Sequence, residues 1–82
     1  MQPGIIELDI HKLNKRQAKI LIDSRLKSAP RGVYRIRVIH GFNSGTELRS
    51  MVRETYKNNP KVLRLELGIN PGVTDLVLRE LF

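Results

Sequence analysis

The segment "VYRIRVIHGFNSGTELRSMVRETY", Val33 to Tyr56, changes its apolar period halfway along. In the first part Tyr34, Ile36 and Val38 alternate with Arg35 and Arg37, the period of two that marks a strand with one buried face. After Gly41 and Gly45 the spacing becomes helical, with Leu48, Met51, Val52, Thr55 and Tyr56 at i, i+3, i+4, i+7 and i+8. A strand, a glycine loop and a helix therefore follow one another within a couple of dozen residues, which points to an α/β layer structure.

Working towards the N-terminus, "NKRQAKILIDSRLKSA" places Ala18, Leu21, Ile22, Leu26 and Ala29 on one helical face. Asn14 is the predicted N-cap, and Pro30-Arg31-Gly32 is the stop. Before it, "IIELDIH" (residues 5–11) sets Ile6, Leu8 and Ile10 against Glu7, Asp9 and His11, a second one-sided strand. Towards the C-terminus, Asn58-Asn59-Pro60 ends the second helix. "KVLRLELG" then opposes Leu63, Leu65 and Leu67 to Arg64 and Glu66, and "TDLVLREL" opposes Leu76 and Leu78 to Asp75 and Arg79 across the turn Asn70-Pro71-Gly72.

The predicted order is β-α-β-α-β-β in one domain spanning residues 1–82, too short for two independent cores. Right-handed crossovers after the first two strands put both helices on one face of a four-stranded mixed sheet. Glu7, Asp9, Arg35, Arg37, Arg64, Glu66, Asp75 and Arg79 all fall on the opposite face. Helices on both faces would bury these charges at several kcal/mol each, so a two-layer sandwich is expected.

Fifteen Lys and Arg stand against eight Asp and Glu, a formal net charge of +7 spread along the chain. A polyanion such as nucleic acid is the first partner class to consider, with solubility as the plain alternative. There is no Cys, which excludes disulfides and thiolate metal sites. No apolar run approaches the ~20 residues needed to cross a bilayer, and both helices spend their apolar faces on the core. No membrane partner is expected, and the chain reads as a monomeric, intracellular, cytoplasmic domain.

Two parallel strands ending at one edge bring two helix N-termini together, and free backbone N–H groups there attract anions. Both histidines, His11 and His40, end those strands. Asp9 and His11 leave the same face about 6.6 Å apart, a candidate acid/base pair, although alternation alone can place the two on a solvated face. His40 points to the helix side, either to bond a loop carbonyl or to contact phosphate. Gly41 and Gly45 let a backbone approach closely, but Thr46-Glu47 after Gly45 does not match a P-loop. Arg49, Arg53 and Lys57 form a basic stripe on the second helix, suited to a phosphate backbone or simply to a solvated face.

The motifs "LDIH", "IHGFNSGTELRSMVRE" and "NPGVTDLVL" resemble, in order and spacing, those of the Smr (small MutS-related) domain family. That family carries Leu-Asp-Leu-His-Gly on its first strand, His-Gly-x-Gly-x-Gly before Leu-Arg on its second helix, and Gly-x-Gly-Ala-Thr before its last strand. The resemblance implies a fold similar to the C-terminal domain of a bacterial translation initiation factor. It implies an RNA or DNA partner and endonuclease activity, either cleaving RNA, in some members at stalled ribosomes, or nicking DNA. The alternative is a non-catalytic nucleic-acid or ribosome binding module of a larger protein.

On this resemblance Asp9 and His11 match the cleavage positions. His40, Gly41 and Gly45 match the backbone-holding loop, and Lys12, Asn43, Ser44, Arg49, Arg53 and Lys57 complete the expected nucleic-acid-binding set. Lys12, Asn43 and Asn70 stand where the family has glycine, and Asn tolerates a left-handed conformation at the last two. No cofactor is expected for RNA cleavage, and a divalent metal enters only if DNA is the substrate.

Overall fold

The structure, a computed structural model, describes residues 3–41 and 46–80. Its elements are β1 (Ile5–Asp9), α1 (Lys15–Ser28), β2 (Arg35–Ile39), α2 (Thr46–Tyr56), β3 (Arg64–Glu66) and β4 (Val73–Val77). The sheet order is β1-β2-β4-β3. β1 runs parallel to β2, and β4 lies antiparallel between β2 and β3. The predicted β-α-β-α-β-β order and the mixed four-stranded sheet are both present.

Helix α1 starts where Asn14 caps it. The Asn14 side chain accepts the Gln17 N–H at 2.8 Å, and the Gln17 side chain accepts the Asn14 N–H at 3.1 Å, a reciprocal capping box. Ala18, Ile22 and Leu26 from α1, and Leu48, Val52 and Tyr56 from α2, are buried against Leu8, Ile36, Val38 and Leu76 of the sheet. Tyr56 crosses between the helices: its hydroxyl donates to Asp23 Oδ1 at 2.7 Å, and Lys19 Nζ holds the other carboxylate oxygen at 2.7 Å.

The face away from the helices carries the charged row Glu7, Arg37, Asp75 and Glu66, aligned strand by strand in the register. Asp75 is the hub, bonded by Arg35 Nη1 at 2.6 Å and by Arg37 Nε and Nη2 at 3.1 and 3.2 Å. Glu66 bridges Arg35 and Arg64, and Arg64 also meets Glu80.

Three expectations need correction. Leu63 and Leu67 are exposed, because β3 is only three residues long and pairs on one side, so the alternation runs past the part that the helices cover. Arg79 lies beyond β4. The charged face is also not wholly polar: Ile5 and Val77 are buried there, with the Arg35 side chain, itself 19% exposed, standing between them in the register. Its aliphatic stem shields apolar neighbours while its head pairs with Asp75 and Glu66.

Candidate functional site

The C-terminal ends of β1 and β2 are tied together where Ile10 N–H bonds the Ile39 carbonyl at 2.9 Å. Beyond that point the chain of β1 turns into the cap of α1, and that of β2 turns at Gly41 with φ +85. A Cβ on Gly41 would lie 3.2 Å from Cβ of His11, so the two segments are in close contact. The turn before β4 reaches the same place. Gly72 accepts the N–H groups of both His40 and Gly41 at 3.0 Å, and a Cβ on Gly72 would lie 3.3 Å from the Gly41 carbonyl carbon. Three distant stretches of sequence thus converge on one sheet edge.

Asn70 holds that turn by a different means from the one expected. Among the described residues no residue other than glycine has positive φ. Instead, the Asn70 side chain accepts the Gly72 N–H at 2.8 Å, an Asx turn that replaces conformational freedom with a hydrogen bond.

At the rim, Asp9 Oδ1 accepts the His11 backbone N–H at 3.1 Å and also meets His11 Nδ1. A carboxylate only accepts, so Nδ1 carries the hydrogen and Nε2 of the neutral ring is left with its lone pair. The side-chain bond to His11, helped by the backbone one, holds the Asp9 carboxyl below its usual range and therefore ionised. Both side chains are about half exposed. His11 opens onto a groove of about 250 Å³, shared with Leu13, Asn14, Lys15, Glu47 and Leu48. This groove lies between the first turns of α1 and α2, the positive ends of the two helix dipoles.

His40 lies beneath this rim and is fully buried. Nδ1 bonds the Gly41 carbonyl at 3.0 Å, which requires an Nδ1–H donor. Nε2 then accepts the Thr74 hydroxyl hydrogen at 2.9 Å, and Thr74 Oγ1 accepts Arg53 Nε–H at 3.3 Å. The chain of donors runs in one direction, from Arg53 through Thr74 and His40 to Gly41. Burial pushes the His40 pKa down; the Gly41 bond opposes this, and the charges of Arg53 and Arg49 add to it. The ring is neutral at neutral pH. Two sequence signals point to Thr74: it stands at the Thr of the Gly-x-Gly-Ala-Thr motif, and it shares the inward parity of Leu76.

Of the residues singled out from the sequence, Asp9, His11, Lys12, His40 and Gly41 meet at this edge. Arg49 and Arg53 approach it from α2, near enough for their charges to act on His40. Lys57, just past the C-terminal end of α2, pairs with Glu54 at 3.6 Å. Asn43, Ser44 and Gly45 lie outside the described residues. No group of three or more His, Asp or Glu suited to a metal ion occurs among the described residues, and among them no helix is long and apolar enough to cross a membrane.

A family model described as the Smr domain matches residues 8–71. Among solved structures the chain is similar to the crystal structure of the Smr domain of Thermus thermophilus MutS2. The TM-score is 0.81 and the identity 28%, over 92% of this chain and 99% of that one. No curated protein matches the chain.

Proposed function

The chain belongs to the Smr domain family, and from that premise we propose that it is a nucleic-acid-binding endonuclease acting on RNA in preference to DNA. The observation that carries the reading is the contact of the Asp9–His11 pair with Gly41 beside a groove flanked by two helix N-termini. A base, its orienting carboxylate and an anion-attracting rim then surround one phosphodiester.

In this scheme His11 Nε2 takes the proton of a 2′-hydroxyl, and the 2′ oxygen attacks the adjacent phosphorus. The bond to the 5′ oxygen breaks, the products are a 2′,3′-cyclic phosphate and a 5′-hydroxyl, and the proton passes through water to the departing oxygen. Asp9 fixes the ring and stabilises the imidazolium. Arg49 and the helix N-termini offset charge on the phosphorane. His40 acts from within, holding the Gly41 carbonyl, while Lys12 and Arg53 neutralise flanking phosphates.

The donor set does not suit a resident divalent ion, since the nearest carboxylate and imidazole are bonded to each other and a third ligand is lacking among the described residues. The DNA route is accordingly the weaker one. The half exposure of Asp9 and His11 favours one second reading, a binding module that grips the backbone without cutting it.

Labelled RNA incubated with wild type, Asp9→Ala and His11→Ala, with and without chelator, separates these readings. Cleavage is expected to fall about 10²- to 10⁴-fold in the His11 variant, less in the Asp9 variant, and to ignore chelator. Equal cleavage by all three proteins would remove the catalytic role.

A further inference from the structure

The open face of the sheet holds a second concavity. The row Asp9, Ile39 and Val73 lies on that face beside the charged row Glu7, Arg37, Asp75 and Glu66. Arg37, Glu66, Val73 and Asp75, together with Ile69 and Asn70 of the β3–β4 connection, line a cleft of about 260 Å³. That is slightly below the ~300 Å³ at which sites for drug-sized ligands begin. Val73 lies two strands from Asp9, about 10 Å at the usual strand spacing. The cleft is therefore within reach of a nucleotide adjoining the one at His11.

Its chemistry differs from that of the rim. Arg37 is held to Asp75 by two bonds, which fixes the plane of its guanidinium. Glu66 is neutralised by Arg35 and Arg64. The floor thus has no net call on a phosphate, but it offers a flat cationic plane of the kind that stacks on aromatic rings. Ile69, also in the lining, packs against nothing in the domain at 103% exposure. Asn70 uses its carbonyl oxygen on Gly72 and keeps its amide N–H groups as donors. The turn that carries both residues is tied to His40 and Gly41 by the bonds of their N–H groups to the Gly72 carbonyl, so the cleft and the His11 groove are held in a fixed relation.

We infer that this cleft is a nucleobase site, in which a base unstacked from single-stranded RNA lies between the Arg37 plane and Ile69, with Asn70 reading its edge. The assignment rests on the functional reading above and deepens it: the rim holds the sugar-phosphate chain, and the open face holds a base next to the bond at His11. The enzyme is then selective for unpaired RNA, because a base in a duplex cannot enter.

Ile69→Ala tests this, since a fully exposed side chain contributes nothing to the fold, as an unchanged circular dichroism spectrum and melting curve would verify. Affinity is read by fluorescence anisotropy for two short 2′-O-methyl strands that cannot be cleaved, one with bases and one abasic throughout. Wild type is expected to bind both with salt-dependent affinity and to prefer the strand with bases. Ile69→Ala is expected to bind the strand with bases roughly fivefold or more weakly and the abasic strand as wild type does. If the substitution weakens both equally or neither, while salt-dependent binding persists, the cleft assignment is overturned and the phosphodiester site stands. If wild type binds neither strand in a salt-dependent manner, the functional reading falls, and this one with it. Weakened capture of a protein partner by Ile69→Ala, with both strands bound as before, would assign the cleft to that partner and also overturn the proposal.

Discussion

At the scale of single residues, the two histidines are set apart by their surroundings. His11 is at the surface with one nitrogen spent, and His40 is buried with both spent. Because the folded state lowers the pKa of His40, its contribution is fully present above the unfolded value of about 6.5 and is lost as pH falls through the folded value. His40→Gln is expected to cost about 1–3 kcal/mol at pH 7.5, and the gap to wild type should narrow as the pH drops below 6.5; parallel curves from urea unfolding would refute the buried neutral ring. Tyr56→Phe removes the hydroxyl from Asp23. Burial tends to raise the Asp23 pKa, but its bonds to Lys19 and Tyr56 outweigh that and lower it. The variant should lose about 1–2 kcal/mol and show an Asp23 carboxyl that titrates at higher pH by NMR. The pairing of Asp9 with His11 was legible in the sequence because it depends on residues two apart. The Thr74 link to His40 was not, because 34 positions separate them and only the strand order brings them together.

At the scale of elements, the strongest sequence signals were those with several independent supports. Helix α1 has a stripe, a cap and a stop, and it runs from Lys15 to Ser28 as those features require. Asn14→Ala should cost about 1 kcal/mol, seen as a lower urea midpoint with an unchanged slope, since the substitution removes the side-chain acceptor of the Gln17 N–H, keeps the backbone N–H that bonds the Gln17 side chain, and touches no core residue. A midpoint equal to wild type would mean that another group takes over the orphan N–H. Strand β3 was the element least legible. Its Leu-x-Leu-x-Leu alternation spells a longer inward face than exists, and nothing local says where the helical cover ends. The Asn70 turn was misread for a related reason. A residue standing where a family has glycine suggests a left-handed backbone, whereas its side chain solved the turn with a hydrogen bond.

At the scale of the whole molecule, stability and site geometry depend on the same strand. A chain of 82 residues has roughly 4–12 kcal/mol in total by the usual per-residue stability. Ile36, fully buried in β2, is paired with Ile6 on one side and Leu76 on the other. Ile36→Ala should remove about 2–5 kcal/mol, a large share of that total, and lower the melting temperature by several degrees or more. A shift of less than a degree would mean that the core relaxes around the gap. The ion pairs of the open face have another outcome. There Arg35, Arg37 and Arg64 are matched by Asp75, Glu66 and Glu80. Among the described residues Lys12, Lys15, Arg16, Arg25, Lys27 and Arg49, on the helices and their approaches, have no such acidic partners. The surplus charge is therefore lopsided, and the molecule carries a dipole across its two layers. A polyanion at a distance exerts a torque that turns the helix side towards it before any atom touches. Added salt should then slow the encounter more than it hastens departure, and the open face comes into play only after docking.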